Sequence, residues 1–359
     1  MNRTRTSPAE AVEDALRRFF ADRRDEAAAI GPACAEAVTE LENYVLRGGK
    51  RVRPTFAWLG WLGAGGDPDG TTAQAVVRTG AALELFHAYG LIHDDVIDAS
   101  LTRRGAPAAH VQFAERHRER CWNGDAQLFG TGTAILIGDL AQGWADDLIH
   151  GCGLPAPAQA RVAPVWSALR TEVLCGQLLD VSAEAAGAED LDTPLRINQY
   201  KTASYTVERP LHIGAAIAGA DDALVTAYRS FGRDIGVAFQ LRDDLLGVFG
   251  AAEETGKPSG DDLVQGKRTV LFAAALHYAD TQDPDAAKFL RTRIGTPLTH
   301  DELTAMRTVI TDVGAVDHIE RDITRRTDRA LATLNASSAT PHAKQQLTTM
   351  AISATQRTS

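Results

Sequence analysis

Apolar residues recur along most of the chain at intervals of three to four residues, the spacing that places them on one face of an α-helix. These segments are rich in Ala and Leu, and stretches containing Gly and Pro separate them. Runs with the two-residue alternation of a β-strand are nearly absent. The periodic segments predict helices over residues 9–25, 33–47, 53–62, 72–98, 107–118, 131–149, 157–184, 194–219, 222–249, 263–279, 285–294, 300–312, 315–334 and 342–356. Helices with such short connections predict one all-α bundle.

Breaks in the pattern predict where the chain turns. Residues 121–130 (CWNGDAQLFG) and 250–262 (GAAEETGKPSGDD) predict loops. Pro210 should kink its helix, because proline removes a backbone donor and its ring clashes with the preceding turn. No repeat and no shift of composition divides the chain, so we expect a single domain over residues 1–359, with residues 1–8 disordered.

Composition narrows the class of protein. Of the 359 residues, 44% are hydrophobic, enough for a large core, and the net charge of −10 argues against broad nucleic-acid binding. The four cysteines are widely spaced and form no CxxC pair, which favours a reducing cytoplasm over a disulfide framework or a zinc site. No apolar run reaches the roughly 18 residues of a membrane span, and we expect a soluble cytoplasmic protein.

The stretch ELFHAYGLIHDDVIDASLTRRG, residues 84–105, carries the strongest chemical signal. On a helix, Asp94 and Asp98 lie one turn apart, and His87 lies within about 40° of both around the helix axis. Like charges at this spacing destabilise a helix unless a cation offsets them. Together with Asp95 these oxygens suit Mg²⁺, which keeps several waters and takes further ligands from phosphates.

The ordinary alternative for this stretch is a solvated acidic turn. Two features favour the metal site instead. Apolar residues flank the acids on both sides, and Arg103 and Arg104 follow at once. The guanidinium group is the side-chain cation best shaped to bind phosphate oxygens.

A second acidic pair lies in FGRDIGVAFQLRDDLLGVFG, residues 231–250. Asp243 and Asp244 again sit among leucines, and Gln240 lies three to four residues earlier on the same helix face. Gly247 occupies the position of a third acid in a DDxxD pattern. From the sequence alone we expect Gly247→Asp to be tolerated, since a carboxylate one turn beyond Asp243 could reach the same ions. The alternative is a helix with two exposed acids.

Two sets of basic residues could bind diphosphate. The first is GGKRVRP, in which Lys50 and Arg53 follow two glycines at a helix end. The second is Lys201-Thr202 within a helix, with Lys257 and Lys267 in later loops. Each alone is more simply a solvated basic residue, and only the combination favours a binding site.

In this order the motifs GGKRVRP, DDVID with RRG, KT, FQLRDD, GKPSGDD and GKRT resemble the trans-isoprenyl diphosphate synthase (polyprenyl synthetase) family over residues 47–269. The amino-acid sequences of these motifs are similar to those of actinobacterial geranylgeranyl diphosphate synthases. The resemblance implies a single-domain, all-α isoprenoid synthase bundle around a central cavity that both acidic motifs face. It also implies a homodimer and three Mg²⁺ ions per active site.

The resemblance also implies a role for each motif residue. Asp94, Asp95, Asp98, Asp243 and Asp244 would bind Mg²⁺ on the allylic diphosphate and act in catalysis, with Arg103 and Lys201. Gly247 leaves the metal coordination at the second motif open. The substrate contacts divide into two sets. Lys50, Arg53, His87 and Arg104 match the isopentenyl diphosphate pocket, whereas Arg103, Lys201, Thr202, Gln240, Lys257 and Lys267 match contacts to the allylic substrate.

The implied reaction begins when metal ions and basic side chains stabilise the departing allylic diphosphate. Isopentenyl diphosphate then attacks the allylic cation in a dry cavity, and the released diphosphate takes up the proton. In the family, the residue five before the first Asp, here Tyr89, helps to form the cavity floor. A bulky floor predicts a short product, geranylgeranyl diphosphate (C20) first and farnesyl diphosphate (C15) second.

Three other functions are alternatives to a prenyl diphosphate synthase. A class I terpene cyclase would carry an NSE-like metal triad and would not need GGKRVRP. A non-catalytic subunit of a heteromeric synthase typically loses one acidic motif, whereas both leading pairs are present here. A di-iron bundle would need the ExxH motif repeated on facing helices, and the sequence has no such repetition.

Overall fold

The structure, a computed structural model, describes residues 7–250 and 259–356. Within these ranges the chain is helical apart from its connections and one short hairpin, which confirms the all-α class. The hairpin pairs β1 (Thr102–Arg103) with β2 (Ala106–Pro107). The helices are α1 Pro8–Ile30, α2 Pro32–Leu46, α3 Val52–Gly63, α4 Ala73–Ile97, α5 Ala109–Glu119, α6 Ala126–Gly151, α7 Ala156–Ala186, α8 Asp192–Ile197, a π-helix Asn198–Glu208, α9 Arg209–Ala218, α10 Asp222–Phe249, α11 Asp261–Gln265, α12 Val270–Gln282, α13 Pro284–Arg293, α14 His300–Asp312, α15 Ala315–Ala336 and α16 Pro341–Thr355.

Helix α1 begins with a capping box. The Ser7 N–H donates to the Glu10 carboxylate at 2.8 Å, and the Glu10 N–H donates to Ser7 Oγ at 3.2 Å. These two bonds satisfy donors that the first turn leaves open, and Pro8 fits the first helical position. Residues 1–6 of the expected disordered start lie outside the described residues.

The chain forms two compact units. The first contains the described residues as far as Trp58, together with Gly66–Gln159. Most residues of helix α4 are buried, and the helix packs against α6 and α1. A Cβ on Gly80 would lie 2.9 Å from Val12 Cγ2, so this glycine permits the close approach of α1. The acidic end of α4 is therefore anchored in the core of this unit.

The second unit contains Leu59–Gly65 and the described residues from Ala160 onward. Helix α10 packs against the π-helix, α9 and α15. Two residues of α10 that face the π-helix are glycines, which have no side chain. A Cβ on Gly236 would lie 2.5 Å from Ala203 Cβ, and one on Gly232 would lie 2.5 Å from Glu208 Cα. The backbone of the π-helix can therefore approach α10 closely.

The first departure from the sequence prediction concerns the loop expected at 121–130. Helix α6 already begins at Ala126, because the Asp125 side chain accepts a hydrogen bond from the Leu128 N–H at 2.8 Å. Gly130, within the predicted loop, lies in this helix, where a Cβ would stand 2.9 Å from Ala114 N. The glycine reflects close helix packing.

Two predicted helices are divided. The segment predicted at 194–219 consists of α8, the π-helix and α9, and Pro210 stands in the first turn of α9, directly after the π-helix. The segment predicted at 263–279 is split where Gly266 adopts a φ of +81°. Thr269 then caps α12 by accepting from the Phe272 N–H at 3.2 Å.

No helix in the described part of the chain combines the length and the apolar character needed to cross a membrane.

Candidate active site

The first acidic motif lies at the C-terminal end of α4. Asp94 and Asp95 belong to its last turn, and Asp98 caps the helix by donating its N–H to the Asp94 carbonyl at 2.8 Å. Asp95 is fully buried, whereas Asp94 and Asp98 are partly buried. Carboxylates at this end of a helix face the negative end of its dipole. A nearby positive charge is therefore required.

The hairpin after α4 places the two arginines of the RRG motif at different positions, one in a strand and one in the turn. Arg103 pairs with Ala106 across the hairpin, and Arg104 and Gly105 form the two-residue turn between them. Their φ angles are +53° and +73°. Positive values at both central positions are characteristic of a type I′ turn. Arg103 is thus a strand residue and Arg104 a turn residue, and their side chains meet different partners.

Arg103 neutralises the first acidic pair. Its Nε donates to Asp95 Oδ1 at 2.7 Å, and its Nη2 donates to Asp94 Oδ2 at 3.2 Å as well as to Asp95. Burial raises the pKa of Asp95, and the hydrogen bonds from Arg103 oppose that rise. The Tyr44 hydroxyl is also buried, without a hydrogen-bond partner among the described residues, and the charge of Asp95 adds to the rise in its pKa.

Arg104 belongs to a cationic pocket in the same unit. It donates to the Gly48 carbonyl at 3.0 Å, and its Nη2 lies 3.4 Å from His87 Nε2. Burial, followed by the charges of Arg53 and Arg104, holds the pKa of His87 well below its usual value. His87 is therefore neutral at physiological pH and leaves the positive charge to the arginines.

The basic residues of the GGKRVRP motif have two roles. Arg51 stabilises the loop, whereas Lys50 and Arg53 are the expected members of the cationic pocket. Arg51 has a φ of +46° and points inward, where it donates to Glu84 at 2.6 Å and to the Val45 carbonyl at 2.9 Å. Both members of this ion pair are buried. Lys50 is exposed, and Arg53 is partly buried. The buried pair fixes the loop that carries Lys50 and Arg53.

The second acidic motif lies on α10. Asp243 is partly buried and Asp244 is buried. Gln240 donates to Asp244 Oδ1 at 2.9 Å, and Asn198 donates to Oδ2 at 3.4 Å. Burial raises the pKa of Asp244 to about 7, and the charges of Asp262 and Asp243 contribute, against the effect of the two amide hydrogen bonds. Within the described ranges, the side-chain hydrogen bonds to Asp244 come from two amides and not from an arginine, as they do at Asp95.

The π-helix carries Lys201 and Thr202. Lys201 Nζ lies 2.6 Å from Asp180 Oδ2, and the Thr202 hydroxyl donates to Gln240 Oε1 at 2.8 Å. A Cβ on Gly176 of α7 would lie 2.8 Å from Lys201 Cα. The wide turns of a π-helix are rare and occur frequently at functional sites. Here they link Thr202 through Gln240 to Asp244.

Gly247 faces a third carboxylate. A Cβ on this glycine would lie 2.5 Å from Asp262 Cγ and closer still to one of its oxygens. Asp262 begins α11 with Asp261, and its backbone carbonyl accepts from the Lys267 N–H at 3.0 Å. Asp262 thus brings a carboxylate to the place where a DDxxD motif would have its third acid. Lys257 lies outside the described residues.

The donors at the first motif fit Mg²⁺. Asp95 Oδ2 is buried and has no hydrogen-bond partner among the described residues, so this oxygen is available to a cation. In the described ranges no three side chains of His, Cys, Asp or Glu are grouped as a ready-made metal cage. A cation here would take a few carboxylate oxygens and complete its shell with water and phosphate oxygens. That coordination is typical of Mg²⁺.

Tyr89, the expected floor residue, is buried in α4 and contacts two other rings. Its ring centroid lies 5.4 Å from that of Phe86 and 4.7 Å from that of His93. A Cβ on the next residue, Gly90, would meet no atom within 4 Å.

Sequence reasoning missed four polar residues of these groups: Tyr44, Asp180, Asn198 and Asp262. Asp262 belongs to GKPSGDD, a motif in which the sequence prediction names only the lysine. Asn198 precedes Lys201 by three residues, but nothing in the sequence connects it with Asp244. Tyr44 and Asp180 stand in no motif, and only tertiary packing brings them to Asp95 and Lys201.

Comparisons with known proteins agree on one family. The profile of the Polyprenyl synthetase family matches residues 35–308. The chain is similar to a solved geranylgeranyl pyrophosphate synthase of Corynebacterium glutamicum, complexed with isoprenyl diphosphate and magnesium. Identity is 42% and the TM-score 0.93, over 97% of this chain and 98% of that one.

Two curated relatives carry other product names. A short chain isoprenyl diphosphate synthase of Methanothermobacter thermautotrophicus is 31% identical over 277 residues, 76% of this chain and 77% of the relative. A (2E,6E)-farnesyl diphosphate synthase of Mycobacterium bovis is 32% identical over 263 residues, 73% of this chain and 67% of the relative.

Proposed function

The chain belongs to the polyprenyl synthetase family, and from that premise we propose that it condenses isopentenyl diphosphate with allylic diphosphates to give geranylgeranyl diphosphate. Its named relatives are prenyl diphosphate synthases, so the chain is a prenyltransferase. The alternative product is farnesyl diphosphate, because a relative of similar identity is named for it.

The observation that carries this proposal is the hairpin after α4. It directs Arg103 to the acidic pair and Arg104 to His87 and the Gly48 carbonyl. One short turn thus serves two neighbouring anion sites, one built for a metal-bound diphosphate and one purely cationic. A reaction between two diphosphate esters needs such a pair of sites, whereas a terpene cyclase, with a single substrate, does not.

Mg²⁺ use is supported by the acidic groups and by the magnesium complex of the relative. Asp94, Asp95 and Asp98 would hold ions in one unit, as would Asp243, Asp244 and Asp262 in the other; we propose three ions in all. When bound, the metal neutralises charge on the departing diphosphate and lowers the barrier to cleavage of the allylic C–O bond.

The protein side chains bind and orient the substrates. Arg103 would pass from the carboxylates to the allylic diphosphate, and Lys201, Thr202, Gln240, Lys257 and Lys267 would complete that set. Lys50, Arg53 and Arg104 would hold isopentenyl diphosphate, with neutral His87 adding a hydrogen bond. The released diphosphate would accept the proton that restores the alkene. Tyr89 would end chain growth by filling the cavity floor, because overpacking a filled cavity costs about 1–3 kcal/mol.

We also propose a homodimer, a single family domain over 1–359, and a cytoplasmic location. The family profile runs through both compact units, which supports the single domain. Leu128 and Leu136 on α6 are 72% and 69% exposed, and exposed apolar groups of this kind mark subunit interfaces. Light scattering after size-exclusion chromatography should give twice the chain mass; a monomer would contradict the dimer.

The decisive experiment is a product assay with C5, C10 and C15 allylic primers and labelled isopentenyl diphosphate. We expect C20 as the main product from each primer, with Mg²⁺ required and activity lost in excess chelator. A main product of C15 would favour the alternative. Full turnover in chelator, or no condensation with any primer, would refute the proposal.

The cationic pocket has its own test. Lys50→Ala and Arg53→Ala should each raise KM for isopentenyl diphosphate by roughly tenfold, the effect of losing about 1.4 kcal/mol of binding, with a smaller change in kcat. The KM for the allylic primer should stay the same. The reverse pattern would assign the pocket to the allylic substrate.

A further inference from the structure

His93 directly precedes the first acidic motif, and its side chain contacts α6. Its Nε2 lies 3.1 Å from the Ile135 carbonyl of α6 and 3.7 Å from Asp139 Oδ1. The carbonyl can only accept a hydrogen bond, so the ring carries its proton on Nε2. The imidazole therefore links the last turns of α4 to α6.

Gly138 provides the space for this ring. A Cβ on Gly138 would overlap the Nε2–Cδ2 edge of His93 and would stand 3.4 Å from Cε1. Glycine is unfavourable inside a helix, and α6 has no need of it here for backbone conformation. On the same helix, a Cβ on Gly143 would meet no atom within 4 Å. Gly138 thus forms a notch in α6 into which the imidazole fits.

The imidazole also contacts Tyr89. The two ring centroids are 4.7 Å apart and the ring planes are inclined at 66°, a favourable edge-to-face arrangement. Tyr89 and His93 are four residues apart, and Phe86 is three residues before Tyr89, so the three rings form one ridge along α4. Tyr89 is 6% exposed and is held between Phe86 and a ring that is itself fixed to α6.

We propose that His93, seated in the Gly138 notch, is a positioning residue that holds the Tyr89 phenol in place and thereby sets the length of the prenyl product. This inference rests on the proposed function, in which Tyr89 forms the cavity floor. Without the imidazole, the phenol loses its edge contact and gains room to turn toward α6. The cavity would deepen, and the chain could grow further before it meets the floor.

The test measures product chain length and turnover in a set of variants. His93→Ala should shift the main product upward by at least one five-carbon unit, as Tyr89→Ala should. Because His93 acts through Tyr89, the double variant should match Tyr89→Ala alone. His93→Phe, which keeps a ring, should retain more of the original product than His93→Gln, which keeps only a hydrogen-bond donor.

Variants at Gly138 provide an independent test of the same proposal. Gly138→Ala should change the product distribution in the presence of His93, and His93→Ala/Gly138→Ala should behave as His93→Ala, because the displaced ring is gone. Gly143→Ala is the matched control on α6 and should leave the distribution unchanged. His117→Ala, which removes a buried histidine from α5 of the same unit, controls for general loosening.

The outcomes separate this inference from the proposed function. No condensation by the unaltered protein refutes the proposed function. An active His93→Ala enzyme with the original product distribution refutes the role of His93 alone, as does a loss of kcat without longer products. Additive shifts in the His93→Ala/Tyr89→Ala double variant, or an unchanged product from Tyr89→Ala, also overturn it. Should His93→Ala fail to fold, His93→Phe, His93→Gln and Gly138→Ala decide the question.

Discussion

The first acidic group has its own counter-ion, whereas the buried acid of the second is held by two neutral amides. Asp94 and Asp95 share the guanidinium of Arg103. Asp244 accepts hydrogen bonds from Gln240 and Asn198, and its pKa rises to about 7. The same pair of aspartates in the sequence thus has different hydrogen-bond donors at the two sites, a guanidinium at one and amides at the other.

The difference follows from where each pair lies in its helix. Asp95 is two residues from the end of α4, so the hairpin can bring Arg103 back to it only eight positions later. Asp244 is followed by another turn of α10, and the next residue to reach that turn is the acidic Asp262. Burial and the neighbouring carboxylates of Asp262 and Asp243 therefore raise the pKa of Asp244, whereas at Asp95 the hydrogen bonds from Arg103 oppose the effect of burial. The comparison teaches that two acidic pairs of the same sequence can differ in how their buried carboxylate is compensated.

The largest effect should come from removing one acid of either group. Asp94→Ala and Asp243→Ala should each lower kcat by roughly several orders of magnitude, because the lost ligand acts mainly in the transition state. Steady-state kinetics at saturating substrates checks this. Asp14→Ala, at an exposed position of α1, is the control. Near-normal kcat in either variant would remove that group from the metal site.

Removing the counter-ion should destabilise the first group. Arg103→Gln leaves a buried carboxylate uncompensated, which costs about 3–5 kcal/mol in the free energy of unfolding. Urea denaturation at pH 7 measures it. Asp95→Asn added to Arg103→Gln should recover part of the loss, since the buried charge is then gone. Equal stability of the single and double variants would show that Arg103 does not compensate Asp95.

The second group should lose stability as pH rises. In metal-free protein, Asp244 titrates at about 7 when folded and at 3.8 when unfolded, so the native state binds more protons between these values. Stability is therefore fully present below about pH 4 and is lost as pH rises through 7. Asp244→Asn removes this loss, and its stability relative to the unaltered protein should improve between pH 5 and pH 8 by about 2–3 kcal/mol.

Thermal unfolding in chelator at several pH values tests the Asp244 prediction. Added Mg²⁺ should stabilise the unaltered protein more at pH 8 than at pH 5, because the metal needs the ionised carboxylate. A pH-independent difference between the two proteins would contradict the raised pKa.

The smallest effect should appear at Gly247. The structure changes our expectation that Gly247→Asp is tolerated, because the new Cβ would displace the Asp262 carboxylate. We expect Gly247→Asp and Gly247→Ala each to cost about 1–3 kcal/mol of stability. Gly143→Ala, in open space, is the matched control and should not be destabilising.

A double variant sharpens the Gly247 prediction. Gly247→Asp/Asp262→Ala moves the third carboxylate from α11 to α10 and should regain both stability and Mg²⁺ affinity, measured by calorimetry with inorganic diphosphate present. If Asp262→Ala alone leaves Mg²⁺ affinity unchanged, Asp262 does not serve the second group.

The sequence by itself determined the all-α class, the family and the chemistry of the two acidic pairs. Apolar periodicity and glycine breaks are short-range signals, and they placed most helices within a few residues of their observed ends, for example 222–249 for α10. Local signals failed where packing overrode them. Gly130 indicated a loop but serves a close helix contact, and Gly266 interrupts a segment that the periodicity joined.

Only the tertiary structure decided which side chains meet. The Arg103 pairing with Asp95 depends on a type I′ turn, the Thr202 link to Asp244 on a π-helix, and the Asp262 contact on a glycine 15 positions earlier at Gly247. None of these contacts has a helical spacing in the sequence, because each joins separate elements whose approach is set by packing. The sequence therefore predicts which residue types form the site, whereas the partners that compensate each carboxylate are known only from the tertiary structure.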